Sequence, residues 1–375
     1  MGQFETRQVP FVDLREQYSQ MREAINERIQ RVLDHGRYIM GPEVEEMESA
    51  LSNFCGVQHC VAVSSGTEAL LISLMSLGVG PGDEVITTPF TFVATVETIV
   101  MLGATPVVVD IEPDTCNIDA TRIEAAVSDR TRAIIPVSLY GQVADMSEIN
   151  QIASRHDGIA VIEDAAQSFG ATYQGRRSGS LSTLGCVSFF PSKPLGCYGD
   201  GGAIFTDNDA LAQACREIRI HGQSARYLHS RVGVGGRMDT IQCAVVLAKL
   251  AQFSEEVARR KTIGDRYASM IRGADLPIRL LEVRPDRDCV WAQFTVLVQE
   301  RDRIRDQLSN RGIPTAVHYP VPLNRQPAYV DRCRGMATPV ADDVAARVLS
   351  LPMSAYLTQN DQDAVVHALV ESHMG

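Results

Sequence analysis

The sequence predicts an α/β protein built on a mostly parallel sheet, with a smaller α+β unit at its C-terminal end. Three observations predict it. Between residues 60 and 206, short apolar runs rich in β-branched residues alternate with helical patterns, and strands that alternate with helices pair in parallel. Beyond about Gly264 the composition shifts to a second unit. The length, 375 residues, is too great for one small core and fits one large and one smaller unit. The division is expected near residue 260, giving 1–260 and 261–375.

In chain order, residues 14–35 are amphipathic, with Ile25, Ile29, Val32 and Leu33 on one face. Pro42 suits the first turn of a second helix reaching residue 54. Seven strands are expected, at 60–64, 84–88, 106–111, 133–139, 160–164, 186–190 and 202–206. Helices are expected between them at 67–77, 91–102, 118–127 and 146–156, and after them at 208–220. Gly78 and Gly103 stand where helices end. The Gly-rich stretch Val232-Gly-Val-Gly-Gly236 precedes a long helix at 239–260, whose Asp239 and Gln242 have capping-box spacing. The second unit reads as a strand at 290–298, a helix at 301–311 stopped by Gly312 and Pro314, and a last helix at 359–371.

Composition excludes several functions. A formal net charge of −11 opposes nonspecific nucleic-acid binding and requires an anionic substrate to find a local basic pocket. The nine cysteines include no C-x-x-C pair and no His/Cys group with zinc spacing. Their odd number, with no apolar run behind Met1-Gly-Gln-Phe-Glu-Thr6, points to a reducing cytoplasm. No apolar run approaches the length of a membrane span.

The chemistry concentrates in Ser188-Phe-Phe-Pro-Ser-Lys193-Pro. Here a lysine sits in a short loop between two apolar strands, crowded by Phe189, Phe190, Pro191 and Pro194. Desolvation lowers a lysine pKa and suits it to Schiff-base chemistry. A surface lysine on a turn is the competing reading. Ala160-Val-Ile-Glu-Asp164-Ala-Ala-Gln167 argues against it, because a buried strand ends there on an acid. A lysine paired with such an acid is what pyridoxal phosphate (PLP) needs, the acid facing the pyridinium nitrogen. Ser64-Ser-Gly66-Thr67-Glu68 ends one strand and opens a helix, whose N-terminal amides bind phosphate while Gly66 admits its approach. It is equally an ordinary capping box, and both can hold. Phe92, after the next strand, is a ring able to stack on a flat cofactor.

These motifs, with Ala316-Val-His318-Tyr319-Pro320, resemble the DegT-type sugar-nucleotide aminotransferases over nearly the whole chain. The resemblance implies an aspartate-aminotransferase-like large domain, fold type I among PLP enzymes, with a seven-stranded sheet and a smaller α+β domain. It implies that Lys193 carries PLP, that Gly66, Thr67 and Ser188 cradle the phosphate, and that Phe92 stacks on the ring. Asp164 then faces the ring nitrogen and Gln167 the 3′-oxygen. Arg237, His318 and Tyr319 match positions that contact the sugar nucleotide. In the family the Arg237 loop comes from the other subunit, so a homodimer with shared sites is implied. Many relatives carry an Asn two residues before this Arg that reaches the partner's PLP phosphate. Gly235 stands here instead, leaving a backbone amide or a water to replace that contact, or looser cofactor binding.

The run Pro136-Val-Ser-Leu-Tyr-Gly-Gln142 strengthens the likeness to enzymes acting on a UDP-linked 3-keto-N-acetylglucosaminuronic acid. L-Glutamate is the implied donor, and O-antigen lipopolysaccharide synthesis the implied setting. Other keto sugar nucleotides, a PLP-dependent dehydratase and a ligand-binding regulator are the alternatives. The dehydratases typically replace the lysine by His, and a regulator would not need Lys193, Asp164 and the phosphate cradle together. A nicotinamide enzyme is opposed by the lack of G-x-G-x-x-G after the first strand.

Overall fold

The computed structural model of the protein describes residues 9–374; the N-terminal run Met1–Thr6 lies outside the described residues. The chain opens with helices α1 (Leu14–His35) and α2 (Pro42–Cys55). Pro42 stands in the first turn of α2, as expected. Of the apolar face foreseen on α1, Ile25 and Val32 are fully buried, whereas Leu33 is exposed. Alternating elements follow: β1 (His59–Val63), α3 (Gly66–Ser76), β2 (Glu84–Thr87), α4 (Ala94–Met101), β3 (Thr105–Val108), β4 (Thr131–Ile135), α5 (Met146–Ser154), β5 (Ala160–Asp164), β6 (Leu184–Ser188), β7 (Gly202–Thr206) and α6 (Asp209–Ile218). Gly78 and Gly103 adopt positive φ, 71° and 77°, where these helices end.

All seven expected strands lie in one sheet, ordered β1-β7-β6-β5-β4-β2-β3. An eighth joins the β3 edge: β10 (Arg334–Gly335), a two-residue parallel strand from the C-terminal region. It is too short to carry a hydrophobic period. Pairing is parallel except around β7, which runs antiparallel to both β6 and β1. Strands β1 to β6 therefore share one direction, and their carboxyl ends meet at one edge. That edge of an open α/β sheet is where ligands bind.

Two expected helices are corrected. Residues 118–127 form two 3₁₀ turns, Ala120–Arg122 and Glu124–Ala126. The long helix at 239–260 is two helices, α7 (Thr240–Leu250) and α8 (Phe253–Gly273), broken at Ala251 and Gln252. The Asp239 carboxylate makes no capping hydrogen bond; the Gln242 amide donates to the Asp239 carbonyl instead, at 3.0 Å, and the Gln242 side chain is used elsewhere. Helix α8 packs Phe253 into the core under the large sheet, whereas Ile263, Tyr267 and Ile271 belong to a second core. That core lies on an antiparallel sheet of β8 (Ile278–Leu280), β9 (Phe294–Val298) and β11 (Val348–Leu351), with β9 central. Helices α9 (Arg301–Asn310) and α11 (Gln359–Met374) pack on it, and α10 (Pro339–Arg347) leads into β11. Among the described residues no helix is long and apolar enough to cross a membrane.

Candidate active site at the carboxyl edge of the sheet

Asp164 is the last residue of β5 and is 6% exposed. Its Oδ2 accepts from Thr95 Oγ1 at 3.0 Å and its Oδ1 from the Ala166 amide at 3.2 Å. Burial nevertheless pushes the carboxyl pKa up, against those two bonds and the nearby Lys193 amine. The carboxylate is thus under-compensated, and a further cation such as a protonated ring nitrogen would fit beside it. Its neighbour Glu163 shows the contrast. Glu163 points to structure, accepting from Ser178 Oγ at 2.6 Å, Ser138 Oγ at 3.2 Å and the Gly179 amide at 2.8 Å.

Lys193 lies in the loop between β6 and β7. The loop is closed by Lys193 N–H to Phe190 O, 2.8 Å, and Cys197 N–H to Phe189 O, 2.7 Å. Burial lowers the Lys193 pKa and Asp164 partly restores it. A larger neutral fraction makes the amine nucleophilic at physiological pH. Of the two phenylalanines expected to shield it, Phe189 is buried while Phe190 is 52% exposed.

The residues expected to cradle a phosphate lie where β1 turns into α3. Ser65 caps the helix, its Oγ accepting from Glu68 N–H at 3.0 Å. The Gly66 and Thr67 amides donate to no protein group among the described residues, so they stand free for an anion. Only glycine suits position 66, because a Cβ there would lie 2.6 Å from Ser188 Cβ. The close approach sets Ser188 beside the helix start. Its Oγ accepts from the Phe190 amide at 3.3 Å.

Aromatic and amide groups form the other wall. Phe92 is half exposed, its ring 6.3 Å from that of Tyr319, which also packs edge-on against Phe90. Gln167 Nε2 donates to Tyr319 Oη at 3.2 Å, and its Oε1 accepts from the Tyr140 amide at 2.8 Å. The His318 Nδ1 lies 3.1 Å from Ser350 Oγ. Burial lowers the His318 pKa and Lys193 lowers it further, so the ring is neutral near pH 7.

Lys193 therefore acts electrostatically on Asp164 and His318, and Asp164 on Tyr319, in one partly buried region. Arg237 is placed differently. Its loop lies against the cradle, the Gly236 carbonyl accepting from Ser64 N–H at 2.9 Å. The Arg237 side chain makes no hydrogen bond or ion pair among the described residues. Sequence reasoning missed two participants. Thr95 holds Asp164, and its i, i+4 spacing from Thr91, whose hydroxyl is 3.3 Å away, was a readable signal. Tyr140 bonds Gln167 through its amide and donates its hydroxyl to the His318 carbonyl. Its φ of 57° leaves no mark in the sequence.

The chain as a whole is similar to known proteins. The chain is 54% identical over 349 residues to a UDP-2-acetamido-2-deoxy-3-oxo-D-glucuronate aminotransferase of Pseudomonas aeruginosa, covering 93% of this chain and 96% of that one. The crystal structure of DesV from Streptomyces venezuelae superimposes with a TM-score of 0.94 at 41% identity, covering 97% of this chain and 98% of that chain. The PLP form of the sugar aminotransferase Spr1654 from Streptococcus pneumoniae superimposes at 0.88 and 28% identity, covering 94% and 96%. The protein is a PLP-dependent aminotransferase of fold type I. Residues 19–370 match the model of one family, and the chain belongs to it: the DegT/DnrJ/EryC1/StrS aminotransferases.

Proposed function

We propose that this aminotransferase moves an amino group from L-glutamate to carbon 3 of a UDP-linked 3-keto-N-acetylglucosaminuronic acid. The observation that carries the reaction class is the desolvated Lys193 amine beside the under-compensated Asp164 carboxylate. For the sugar, the reading leans on the 54% identity with the Pseudomonas protein. The product fits a supply of 3-amino sugar for O-antigen lipopolysaccharide, made by a cytoplasmic homodimer.

Pyridoxal phosphate supplies an electron sink for the carbon that loses its proton. The chain's own residues do the rest. Lys193 Nζ would be the point of covalent attachment and, as a free amine, would carry the proton lost by the donor Cα to the cofactor's C4′. Asp164, its carboxylate oriented by Thr95 and Ala166, would hold the proton on the ring nitrogen. The Gly66 and Thr67 amides with the Ser188 hydroxyl would bind the phosphate, and Phe92 would offer a ring to stack on the cofactor. Gln167, fixed by Tyr140 and Tyr319, would be the group that meets the ring oxygen. His318 and Tyr319 contact the sugar nucleotide, His318 as a neutral hydrogen-bonding ring. The guanidinium fork needed for its anionic groups comes from Arg237 of the partner subunit.

The test offers purified protein a panel of UDP- and dTDP-linked 3-amino and 4-amino sugars with 2-oxoglutarate, reading the reverse reaction by mass. The UDP-linked 3-amino uronic acid should lose its amine fastest. A 4-amino sugar or a dTDP sugar consumed faster would overturn the substrate assignment. No turnover of any member would overturn the reaction.

A further inference from the structure

The loop that carries Lys193 is held from below by one helix. Helix α7 sends two side chains, Gln242 and Lys249, to consecutive parts of it. Gln242 Oε1 accepts from the Tyr198 amide at 2.8 Å and its Nε2 reaches the Tyr198 carbonyl at 3.4 Å. Two turns on, on the same face, Lys249 Nζ donates to the Gly196 carbonyl at 2.7 Å. Lys249 is 2% exposed, and its amine sits 4.2 Å from the centroid of the Tyr198 ring. It makes no ion pair within the described residues. Burying an unpaired lysine is costly, and the carbonyl, the ring and the charge of nearby Glu256 offset that cost only in part. A side chain kept under such a penalty for packing alone would be better served by methionine.

The segment held is itself tight. A Cβ on Gly196 would lie 2.5 Å from the Pro191 carbonyl, and one on Gly199 would lie 2.9 Å from Gln242 Nε2. Cys197 closes the loop through its amide to Phe189 O and sets its Sγ 3.0 Å from the same carbonyl. Lys193 therefore stands at the tip of a closed loop whose return strand is pinned at Gly196 and Tyr198.

We propose that Gln242 and Lys249 are positioning residues, a two-point clamp from α7 that fixes where the Lys193 amine sits. Neither touches the reacting atoms. Both act through the backbone three to five residues beyond Lys193. The proposal rests on Lys193 being the working lysine of the reaction proposed above.

The test uses Lys249→Met and Gln242→Leu. Hydrogen exchange on the cofactor-free chain reads the loop whichever sugar proves to be the substrate. Amides of Lys193 and Cys197 should exchange faster in both variants, with the β5 and β6 amides unchanged. In the reverse assay with 2-oxoglutarate and the UDP-linked 3-amino uronic acid, kcat should fall about tenfold or more, since small misplacements of a reacting group are expensive. KM for the sugar should stay within about twofold of wild type. Folded variants with wild-type kcat would overturn the clamp, as would a lower kcat with unchanged loop exchange. If Lys249→Met does not fold, Gln242→Leu decides by the same two readouts. If the sugar panel fails while loop exchange rises as expected, the substrate assignment falls and the clamp stands.

Discussion

Asp164 shows what this site does at the scale of a residue. Its buried carboxyl has a raised pKa, so the folded protein holds that proton to a higher pH than the unfolded chain does. Above the unfolded value the unfolded state binds fewer protons, and stability falls as pH rises through the folded pKa. Asparagine does not titrate. In the cofactor-free protein, Asp164→Asn should therefore be more stable than wild type at pH 7, by about 1 kcal/mol. Its advantage should shrink as pH falls toward 4. The same variant should lose most transamination, because a neutral amide cannot hold a pyridinium proton. Thermal melts at pH 4 and 7 and a turnover assay check both halves. A destabilised variant with near wild-type turnover would show that Asp164 is a structural partner. The readable part of this residue was its place at the end of an apolar strand. Its hold by Thr95 was not readable as such, because that contact joins residues 69 apart in sequence.

At the scale of elements, the sequence carried the alternation well and the exceptions poorly. Seven strands were legible because each is an apolar run bounded by turn residues, and β5 is buried along its whole length. The two-residue β10 was not legible, since its pairing with β3 is supplied by tertiary contact. The split between α7 and α8 was hidden because Ala251 and Gln252 are both good helix formers. The capping box at Asp239 failed because the Gln242 amide bonds the Asp239 carbonyl and its side chain bonds the lysine loop. We propose 1–260 and 261–375 as the two units, a division inside α8 between Phe253 and Ile263. The turn from β1 into α3 yields a direct test. Gly66→Ala forces a methyl group to 2.6 Å from Ser188 Cβ, and overpacking of this kind costs about 1–3 kcal/mol. The cradle should open, and PLP affinity, titrated by absorbance, should fall about tenfold. Unchanged affinity would mean that the phosphate does not sit between Gly66 and Ser188.

For the whole molecule, the sheet brings its carboxyl ends to one edge, where β5 ends on Asp164 and the segments leaving β1, β2 and β6 supply the expected phosphate-binding residues, Phe92 and Lys193. The small unit adds His318 and Tyr319, tied across by Tyr140 and Gln167. Among the described residues the Arg237 side chain makes no hydrogen bond or ion pair, which suits a side chain working in the neighbouring subunit's site. Mixed dimers of Lys193→Ala and Arg237→Ala protomers should regain activity, since one of the two sites then has both residues. Recovery should approach a quarter of the wild-type rate, half of the protomer pairs being hybrid and each having one intact site, by the arithmetic of symmetric dimers. Mixtures as inactive as either parent would place Arg237 in its own subunit's site. The assignment of the whole edge as a PLP site turns on one amine. The purified protein with PLP should be reduced with borohydride, digested and mapped by mass. The phosphopyridoxyl group should appear on Lys193 and vanish in Lys193→Ala. A label on another lysine, or one that survives in Lys193→Ala, would contradict it.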